Sequence, residues 1–310
     1  MVGYRMHKVL VIVGPTAVGK TSLSIKLAKK LNGEVISGDS MQVYKKLDIG
    51  TAKVTKDEME GIPHHLINIL DVNQDYSAAE FVKSANSLIE DITKRSKLPI
   101  IAGGTGFYIQ ALLDGLVLGG EFDSDPAYRD KLHQFSLDNG SELLWDKLND
   151  IDPKAAAKIP KSNERRIIRA LEVYHHTGKL FSEQNNKEVT LDAYVIALNT
   201  NRQVLYDRIN QRVDLMIENG LIDEAKWLWK QSSDDLPALK GIGYREFAGY
   251  FDNQKDLKSV VDSIKQDSRH YAKRQLTWFR NKMNVTWYDI ISDMEDEKKI
   301  EKDVLNWLNK

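Results

Sequence analysis

A glycine-rich run ending in lysine and threonine is the part of the sequence with the clearest chemical potential. Gly14-Pro15-Thr16-Ala17-Val18-Gly19-Lys20-Thr21 fits the pattern G-x-x-x-x-G-K-[ST]. Its glycines let the backbone wrap so that N–H groups point at phosphate oxygens, while Lys20 adds a positive charge and the Thr21 hydroxyl can bind Mg²⁺. The run stands between a β-branched stretch and a helical pattern, as this motif requires. We therefore predict that Gly14–Thr21, named here the phosphate loop, binds phosphate; a chance match in a tight turn is the alternative.

The phosphate loop alone does not identify a reaction, since kinases, ATPases and GTPases share it. A GTPase would carry an N-K-x-D motif, and Asn281-Lys282-Met283-Asn284 lacks the Asp. Ile69-Leu70-Asp71 is only weakly similar to an ATPase metal aspartate, because Asn68 interrupts the run before it. The residues that surround the loop must therefore decide the chemistry.

Two polar positions follow later strand-like runs. Asp39, in Ser37-Gly38-Asp39-Ser40, comes after Glu34–Ser37, and Thr105, in Gly103-Gly104-Thr105-Gly106-Phe107-Tyr108, comes after Leu98–Ala102. Because open α/β folds bind ligands at the carboxyl ends of their strands, we expect both residues beside the phosphate loop. An N-cap or turn role for Asp39, and a helix-packing role for the glycines, are the alternatives.

Arg212 shares the apolar side of a predicted helix that begins after Arg202. At about 100° per residue it falls on the stripe formed by Leu205, Ile209 and Met216. An inward guanidinium requires a bound anion or a structural carboxylate, unless its chain snorkels to solvent. The spacing leaves these possibilities open.

The histidines do not predict a metal site. His64-His65 and His175-His176 are adjacent pairs. Neighbouring side chains in a helix or strand point in different directions and make poor chelates. We interpret both pairs as residues that bind no metal.

The elements that must position these residues alternate between strand and helix. β-branched runs at Lys8–Val13, Glu34–Ser37 and Leu98–Ala102 alternate with helical patterns such as Ala78–Lys94. This order predicts an α/β fold, a P-loop NTPase-like parallel sheet flanked by helices.

The pattern changes between about Leu116 and Leu191. This stretch contains amphipathic helical segments, with Pro126, Pro153 and Pro160 near their expected starts, and no β-rich run. Alternation resumes with a strand candidate at Ala193–Leu198, followed by helices from Arg202 to the C-terminus. We predict a catalytic core of residues 1–115 and 192–310 with an inserted helical domain at 116–191.

The composition limits the classes of protein. In 310 residues the net charge is −1, so no overall attraction to nucleic acid or membrane is expected. Cysteine is absent, which excludes disulfides, zinc thiolates and a cysteine nucleophile, and fits a cytoplasmic protein. The apolar run Val9–Val13 is too short for a signal peptide or a membrane span. No feature requires more than a monomer.

Two basic clusters interrupt this near-neutral composition. The first lies in the predicted insertion, on a helix expected to bury Ile167, Leu171 and Tyr174 while Arg165 and Arg169 face outward. The second mixes basic with aromatic side chains, as nucleic-acid surfaces do. Either cluster alone is typical of a solvated helix face, but both together favour a nucleic-acid substrate. The clusters are Lys154, Lys158, Lys161, Arg165, Arg166 and Arg169, and the run Arg269–Arg280.

Taken together, these motifs resemble one family, the bacterial tRNA dimethylallyltransferases, or IPP transferases, over nearly the whole chain. Val18, where many relatives carry serine, is a small departure that leaves each proposed role intact. The blocks that carry the resemblance are Gly14–Thr21, Asp39–Tyr44, Asp48–Lys53, Ile62–His65, Gly103–Tyr108, Arg169–Tyr174, Thr177–Lys179, Gly241–Tyr244 and Lys273–Arg280.

The resemblance implies transfer of a dimethylallyl group from dimethylallyl diphosphate to N6 of adenosine 37, in the anticodon stem-loop of tRNA, with release of diphosphate. It implies that the phosphate loop binds diphosphate with Mg²⁺ on Thr21, and that no ATP is hydrolysed. Asp39 resembles the base, Thr105 the donor to the bridging oxygen, and Lys20 and Arg212 the cations that neutralise the leaving diphosphate. With the basic clusters, it implies tRNA contacts at Asp39, Ser40, Met41, Gln42, Arg165, Arg166, Ile167, Ile168, Arg169, Lys273, Arg274, Trp278 and Arg280.

Three other functions fit part of the pattern. In a P-loop kinase, ATP would fill the loop and Asp39 would accept a hydroxyl proton. An isoprenyltransferase acting on free AMP is a nearer variant. A noncatalytic, nucleotide-gated RNA-binding protein would use the loop and the basic faces without turnover, so catalysis separates it from the enzymes.

Overall fold

The computed structural model describes residues 6–118, 125–184, 190–231 and 236–310. The chain forms two compact units. Met1–Leu113 and Thr190–Lys310 make the first, called the core unit, and Asp114–Val189 make the second, called the inserted unit.

The core unit is built on a six-stranded sheet in which every pairing is parallel. Its strand order is β3-β2-β4-β1-β5-β6, so the first strand of the chain lies near the centre. Parallel strands that are covered on both faces have continuous apolar sequences, and this pattern predicted β1 and β4. The predicted α/β fold is confirmed. The strands are β1 His7–Val13, β2 Gly33–Ser37, β3 His64–His65, β4 Leu98–Gly103, β5 Leu191–Leu198 and β6 Thr286–Tyr288.

Helices pack on both faces of this sheet. Leu10 and Ile12 of β1 join one apolar cluster, and Val9, Val11 and Val13 join the other, since successive strand residues point to opposite faces. The helices of the core unit are α1 Lys20–Leu31, α2 Ala78–Lys94, α3 Gly106–Leu113, α8 Arg202–Glu218, α9 Leu221–Trp229, α10 Leu257–Lys282 and α11 Glu295–Leu308.

Two strands were missed and one helix start was wrong. β3 has two residues and β6 has three, so neither carries a periodic signal of its own. The prediction that only helices follow Arg202 is therefore wrong, because β6 pairs with β5. Pro160 begins no helix: α7 starts at Glu164 with Asn163 as its N-cap.

The inserted unit consists of short helices around a separate core. Asp125 caps α4 by accepting the Tyr128 N–H, and Asp152 caps α6 by accepting the Ala155 N–H, each followed by proline at the first helical position. Gly178, in the left-handed conformation, ends the last helix. The helices are α4 Pro126–Asn139, α5 Ser141–Ile151, α6 Pro153–Ala156 and α7 Glu164–Thr177. No helix in the described parts of the chain is long and apolar enough to cross a bilayer.

A buried carboxylate ties the amino-terminal ends of β2 and β4 to α2. Glu34 is 2% exposed and accepts hydrogen bonds from Arg95, Lys97 and His65. The Arg95 guanidinium, followed by Lys97 and His65, holds the pKa of Glu34 far below its ordinary range against the opposing effect of burial.

We expect Glu34→Gln to lower the free energy of unfolding by about 2 kcal/mol at pH 7, because it removes the buried carboxylate that accepts charge-assisted hydrogen bonds from Arg95, Lys97 and His65. A carboxyl whose folded-state pKa is lowered stabilises the fold above its ordinary pKa and loses that contribution in acid. The difference between the two proteins should therefore shrink as pH falls below about 5. Urea unfolding at pH 7 and pH 4 measures it. Glu90→Gln, which removes the exposed pair with Lys94, is the control, and an equal loss in both variants would contradict the assignment.

Candidate active site

The phosphate loop connects β1 to α1 and is held from two other helices. Gly19, with φ of +95°, turns the chain into α1. The Thr16 N–H donates to Gln275 Oε1 of α10 at 3.0 Å, and Arg208 Nε of α8 donates to the Ala17 carbonyl at 2.9 Å. The loop is thus fixed by long-range hydrogen bonds as well as by its own sequence.

A cavity of about 390 Å³ opens beside this loop at the carboxyl edge of the sheet. Lys20, Thr21, Asp39 and Arg212 line it together, as the edge rule and the helical spacing predicted. Apolar side chains of Ile209, Val213, Met216 and Ile264 also line it. One cavity therefore combines cationic and hydroxyl groups with hydrocarbon surface.

Lys20 and Arg212, which both line the cavity, have no salt-bridge partner among the residues that the structure describes. Lys20 Nζ donates to the Pro15 carbonyl at 2.6 Å, and Arg212 Nη1 donates to Thr16 Oγ1 at 3.2 Å. Burial and then the neighbouring Arg212 lower the pKa of Lys20 to about 7. Burial and then Arg208 lower the pKa of Arg212. Two desolvated cations side by side form a site that an anion would stabilise.

Asp39 follows β2 and makes a turn at the cavity wall. Its Oδ1 accepts the Met41 N–H at 2.8 Å and the Gln42 N–H at 3.3 Å. These bonds fix the carboxylate in position through one oxygen, and the hydrogen bonds of the described residues do not use Oδ2. Asp39 therefore has the turn role that the sequence left open. Its second carboxylate oxygen, Oδ2, remains available to accept a proton.

Thr105 follows β4 and contacts the loop that carries Asp39. Its Oγ1 accepts the Ser40 N–H at 3.1 Å, and its hydroxyl donates to Ser40 Oγ at 3.4 Å. Gly103 and Gly104 line the cavity, and Thr105 follows them in the chain without being among the described lining residues. Gly103 lies against the Gly38 carbonyl, where a Cβ would come within 2.3 Å of the oxygen, so only glycine fits. Burial and then Asp39 raise the pKa of the nearby Tyr271 to about 12, while hydrogen bonds with Thr105 and Gln275 oppose the rise.

The segment after Asp39 is held by half-buried polar side chains. The Glu224 carboxylate accepts the N–H groups of residues 48–50 and the Tyr244 hydroxyl. The Gln42 carboxamide accepts from Ser37 Oγ and donates to the carbonyls of Thr51 and Ala52. Ser40, Met41 and Gln42 all line the cavity, and their contact with tRNA stays a prediction.

The basic face of α7 is narrower than predicted. Arg165 and Arg166 are exposed, but Arg169 is half-buried and pairs with the fully buried Glu172. The side chains of Ile167 and Ile168 belong to the core of the inserted unit, and the contact of this stretch with tRNA stays a prediction. Tyr174 is 40% exposed, which contradicts its predicted burial.

On α10 the second cluster contains exposed basic residues and a half-buried tryptophan, whereas Arg269 is half-buried and donates to Asn210 Oδ1. Lys273, Arg274 and Arg280 reach solvent, and Arg274 also lines the cavity. Trp278 is half-buried against Gly106 and meets Phe107 edge to face at 6.1 Å. A stacking role for Trp278 would compete with this packing.

One histidine pair converges where the sequence argument expected divergence. His175, His176 and Asp125 bring their ligand atoms within 4.8 Å of one another, and His176 Nε2 lies 3.2 Å from Asp125 Oδ2. The two imidazoles lie next to each other in the last turn of α7, and Asp125 is the residue before α4. That this pair binds no metal stays a prediction. His64 and His65 instead bond the Ile62 carbonyl and Glu34.

Gln275 and Tyr271 line the cavity, and neither was predicted as a site residue although both fall in the second basic cluster. They are four residues apart on α10 and lie on its apolar stripe with Ile264 and Phe279. The sequence could have indicated Gln275, because a glutamine stands there at a position where the helical period predicts a buried apolar residue.

The fold and the cavity define a P-loop NTPase-like α/β protein. The family model described as IPP transferase matches residues 42–282, and the chain belongs to that family.

Similar proteins span the full chain. The chain is 57% identical over 307 residues to a protein named tRNA dimethylallyltransferase from Limosilactobacillus reuteri, covering 98% of this chain and 100% of the relative. A crystal structure of the tRNA isopentenylpyrophosphate transferase from Bacillus halodurans is 48% identical with a TM-score of 0.74, covering 98% and 97% of the two chains. A eukaryotic dimethylallyltransferase, described as acting on tRNA, is 33% identical with a TM-score of 0.82, covering 95% of this chain and 77% of its own.

Proposed function

We propose that the protein transfers the dimethylallyl group of dimethylallyl diphosphate to N6 of adenosine 37 in tRNA and releases diphosphate. The observation that carries this proposal is that one cavity is lined by both cations and apolar side chains. Lys20 and Arg212, with no salt-bridge partner among the described residues, suit a diphosphate. The side chains of Ile209, Val213, Met216 and Ile264 suit a short hydrocarbon chain.

In this reaction the adenine N6 attacks C1 of the dimethylallyl group, and the bond from C1 to the bridging oxygen breaks. Asp39 accepts the N6 proton through its free oxygen, since its other oxygen is held by backbone N–H groups. The Thr105 hydroxyl donates to the bridging oxygen. Lys20 and Arg212 neutralise the charge that develops on diphosphate, which leaves with the electron pair of the broken bond.

The phosphate loop also offers oxygen ligands of the kind that Mg²⁺ prefers. The Thr21 hydroxyl and the Asp39 carboxylate line the same cavity, and the diphosphate would supply further oxygens. Thr21 would bind the ion, which supplies positive charge to the leaving group. The residues present therefore fit a divalent metal, and we assign Mg²⁺.

For tRNA we propose two surfaces, one in each unit. Arg165 and Arg166 of the inserted unit provide the first, and Lys273, Arg274 and Arg280 of the core unit provide the second. Both surfaces would contact the phosphate backbone of the anticodon stem-loop, with adenosine 37 turned out of its stack. The near-neutral composition without cysteine supports a cytoplasmic monomer.

Incubation with unmodified tRNA and either dimethylallyl diphosphate or ATP, followed by mass analysis of the nucleosides, tests the proposal. We expect one adenosine to gain a dimethylallyl group in the first mixture only. Phosphorylated product with ATP would support the kinase alternative, and modification of free AMP but not tRNA would support the AMP isoprenyltransferase.

For the first tRNA surface, we expect the double variant Arg165→Ala, Arg166→Ala to weaken tRNA binding and flatten its salt dependence. Each lost phosphate contact lowers the slope of log K against log salt by about 0.7–0.9. Binding measured between 50 and 200 mM salt shows this. Lys302→Ala, an exposed lysine of α11, is the control, and a slope equal to that of the wild type would exclude α7 from the interface.

A further inference from the structure

We propose that Gln275 is a positioning residue that locks the phosphate loop and the second glycine loop, Gly103–Gly106, into one preformed diphosphate site. This inference rests on the proposed function and adds a residue to it. Gln275 is 5% exposed and lies on α10, far along the chain from both loops. Its carboxamide accepts the Thr16 N–H at 3.0 Å and donates Nε2–H to the Gly104 carbonyl at 2.9 Å.

The orientation of this carboxamide is determined by its two partners. A backbone N–H needs an oxygen opposite it and a carbonyl needs an N–H, so only one placement of Oε1 and Nε2 satisfies both. Gly104 permits the contact, because a Cβ there would come within 2.1 Å of Nε2. The bridge between the two loops therefore requires a carboxamide at Gln275 and a residue without a side chain at Gly104.

The bridge has a consequence for catalysis. In the hydrogen bonds of the described residues, no side chain of either loop bonds to the other loop, and glycine backbone is costly to order. Preorganised donors stabilise developing charge without reorganising during the reaction. By joining the loops before substrate arrives, Gln275 keeps Thr16 beside Arg212, which donates to its hydroxyl, and keeps Thr105 at a set place on the other loop.

Two variants separate this role from a general effect on folding. Gln275→Met keeps the length and volume of the side chain and removes both hydrogen bonds. We expect it to weaken binding of inorganic diphosphate about tenfold. We expect the single-turnover rate of transfer to fall by about 10²-fold, because small displacements in a site have that cost. Gln266→Met, an exposed glutamine of the same helix, is the matched control.

Gln275→Glu tests the polarity of the bridge. An ionised carboxylate accepts from Thr16 but repels the Gly104 carbonyl and the diphosphate, whereas a protonated carboxyl reproduces both hydrogen bonds. The rate of Gln275→Glu relative to wild type should therefore recover as pH falls. If Gln275 contributed only packing, the ratio of the Gln275→Glu rate to the wild-type rate would not change with pH.

The experiment combines calorimetry with inorganic diphosphate, single-turnover transfer and thermal unfolding of each variant. A loss of diphosphate affinity and rate in Gln275→Met, with acid recovery in Gln275→Glu, supports the bridge. Wild-type affinity and rate in Gln275→Met would overturn it. A pH-independent ratio in Gln275→Glu also would overturn it, even where Gln275→Met fails to fold. If wild-type protein transfers no dimethylallyl group, the proposed function fails, while calorimetry still tests the bridge.

Discussion

Replacing Asp39 with asparagine is expected to lower the single-turnover rate of dimethylallyl transfer by about 10²–10⁴-fold, the usual size of general-base catalysis. The exocyclic amine of adenine is a weak nucleophile, because its lone pair is delocalised into the ring. Position and a nearby proton acceptor must both assist its attack. Asp39 lines the cavity and keeps one oxygen outside the turn that it forms.

The asparagine variant is informative because it preserves that turn. The amide oxygen can still accept the Met41 and Gln42 N–H groups, so the local backbone and substrate binding should change little. Asp71→Asn, an exposed aspartate paired with Lys45, provides the control and also tests the weak ATPase interpretation of Asp71. A near-normal single-turnover rate at saturating substrates would leave Asp39 with the turn role alone.

The sequence predicted those parts of the site that depend on local pattern. β1 and β4 are continuous β-branched runs, and loops that follow parallel strands share one edge, so Lys20 and Asp39 were expected together. Helical periodicity placed Arg212 on the inward side of its helix, but it did not identify the group that Arg212 contacts. Both inferences hold because local geometry decides where these side chains lie.

The missed features depend on long-range pairing. β6 is recognisable only through its pairing with β5, and Gln275 acquires its role from Thr16, 259 residues away. Arg169 was expected outside, and only the fully buried Glu172 beside it explains why it turns inward. From sequence alone, a charged side chain is predicted to be exposed unless its buried partner is known.

Loss of the Lys20 charge should separate diphosphate binding from tRNA binding. Lys20 lines the cavity and has no salt-bridge partner among the described residues, and its ammonium donates to the Pro15 carbonyl. A bound diphosphate would neutralise the positive charge of Lys20. tRNA surfaces on exposed basic residues would not depend on it.

We expect Lys20→Met to weaken binding of inorganic diphosphate and to lower the single-turnover rate of transfer by about 10²–10³-fold, the usual cost of removing one group that stabilises developing charge. Because the pKa of Lys20 is lowered to about 7 by burial and by Arg212, the folded protein disfavours the charged form, so the variant should be at least as stable as wild type. Calorimetry with diphosphate, filter binding with tRNA and thermal unfolding measure the three quantities. Lys29→Met, on the exposed side of α1, is the control and should change none of them beyond the small effect of its surface pair with Glu60. Diphosphate binding equal to wild type in Lys20→Met would show that the phosphate loop does not hold the leaving group.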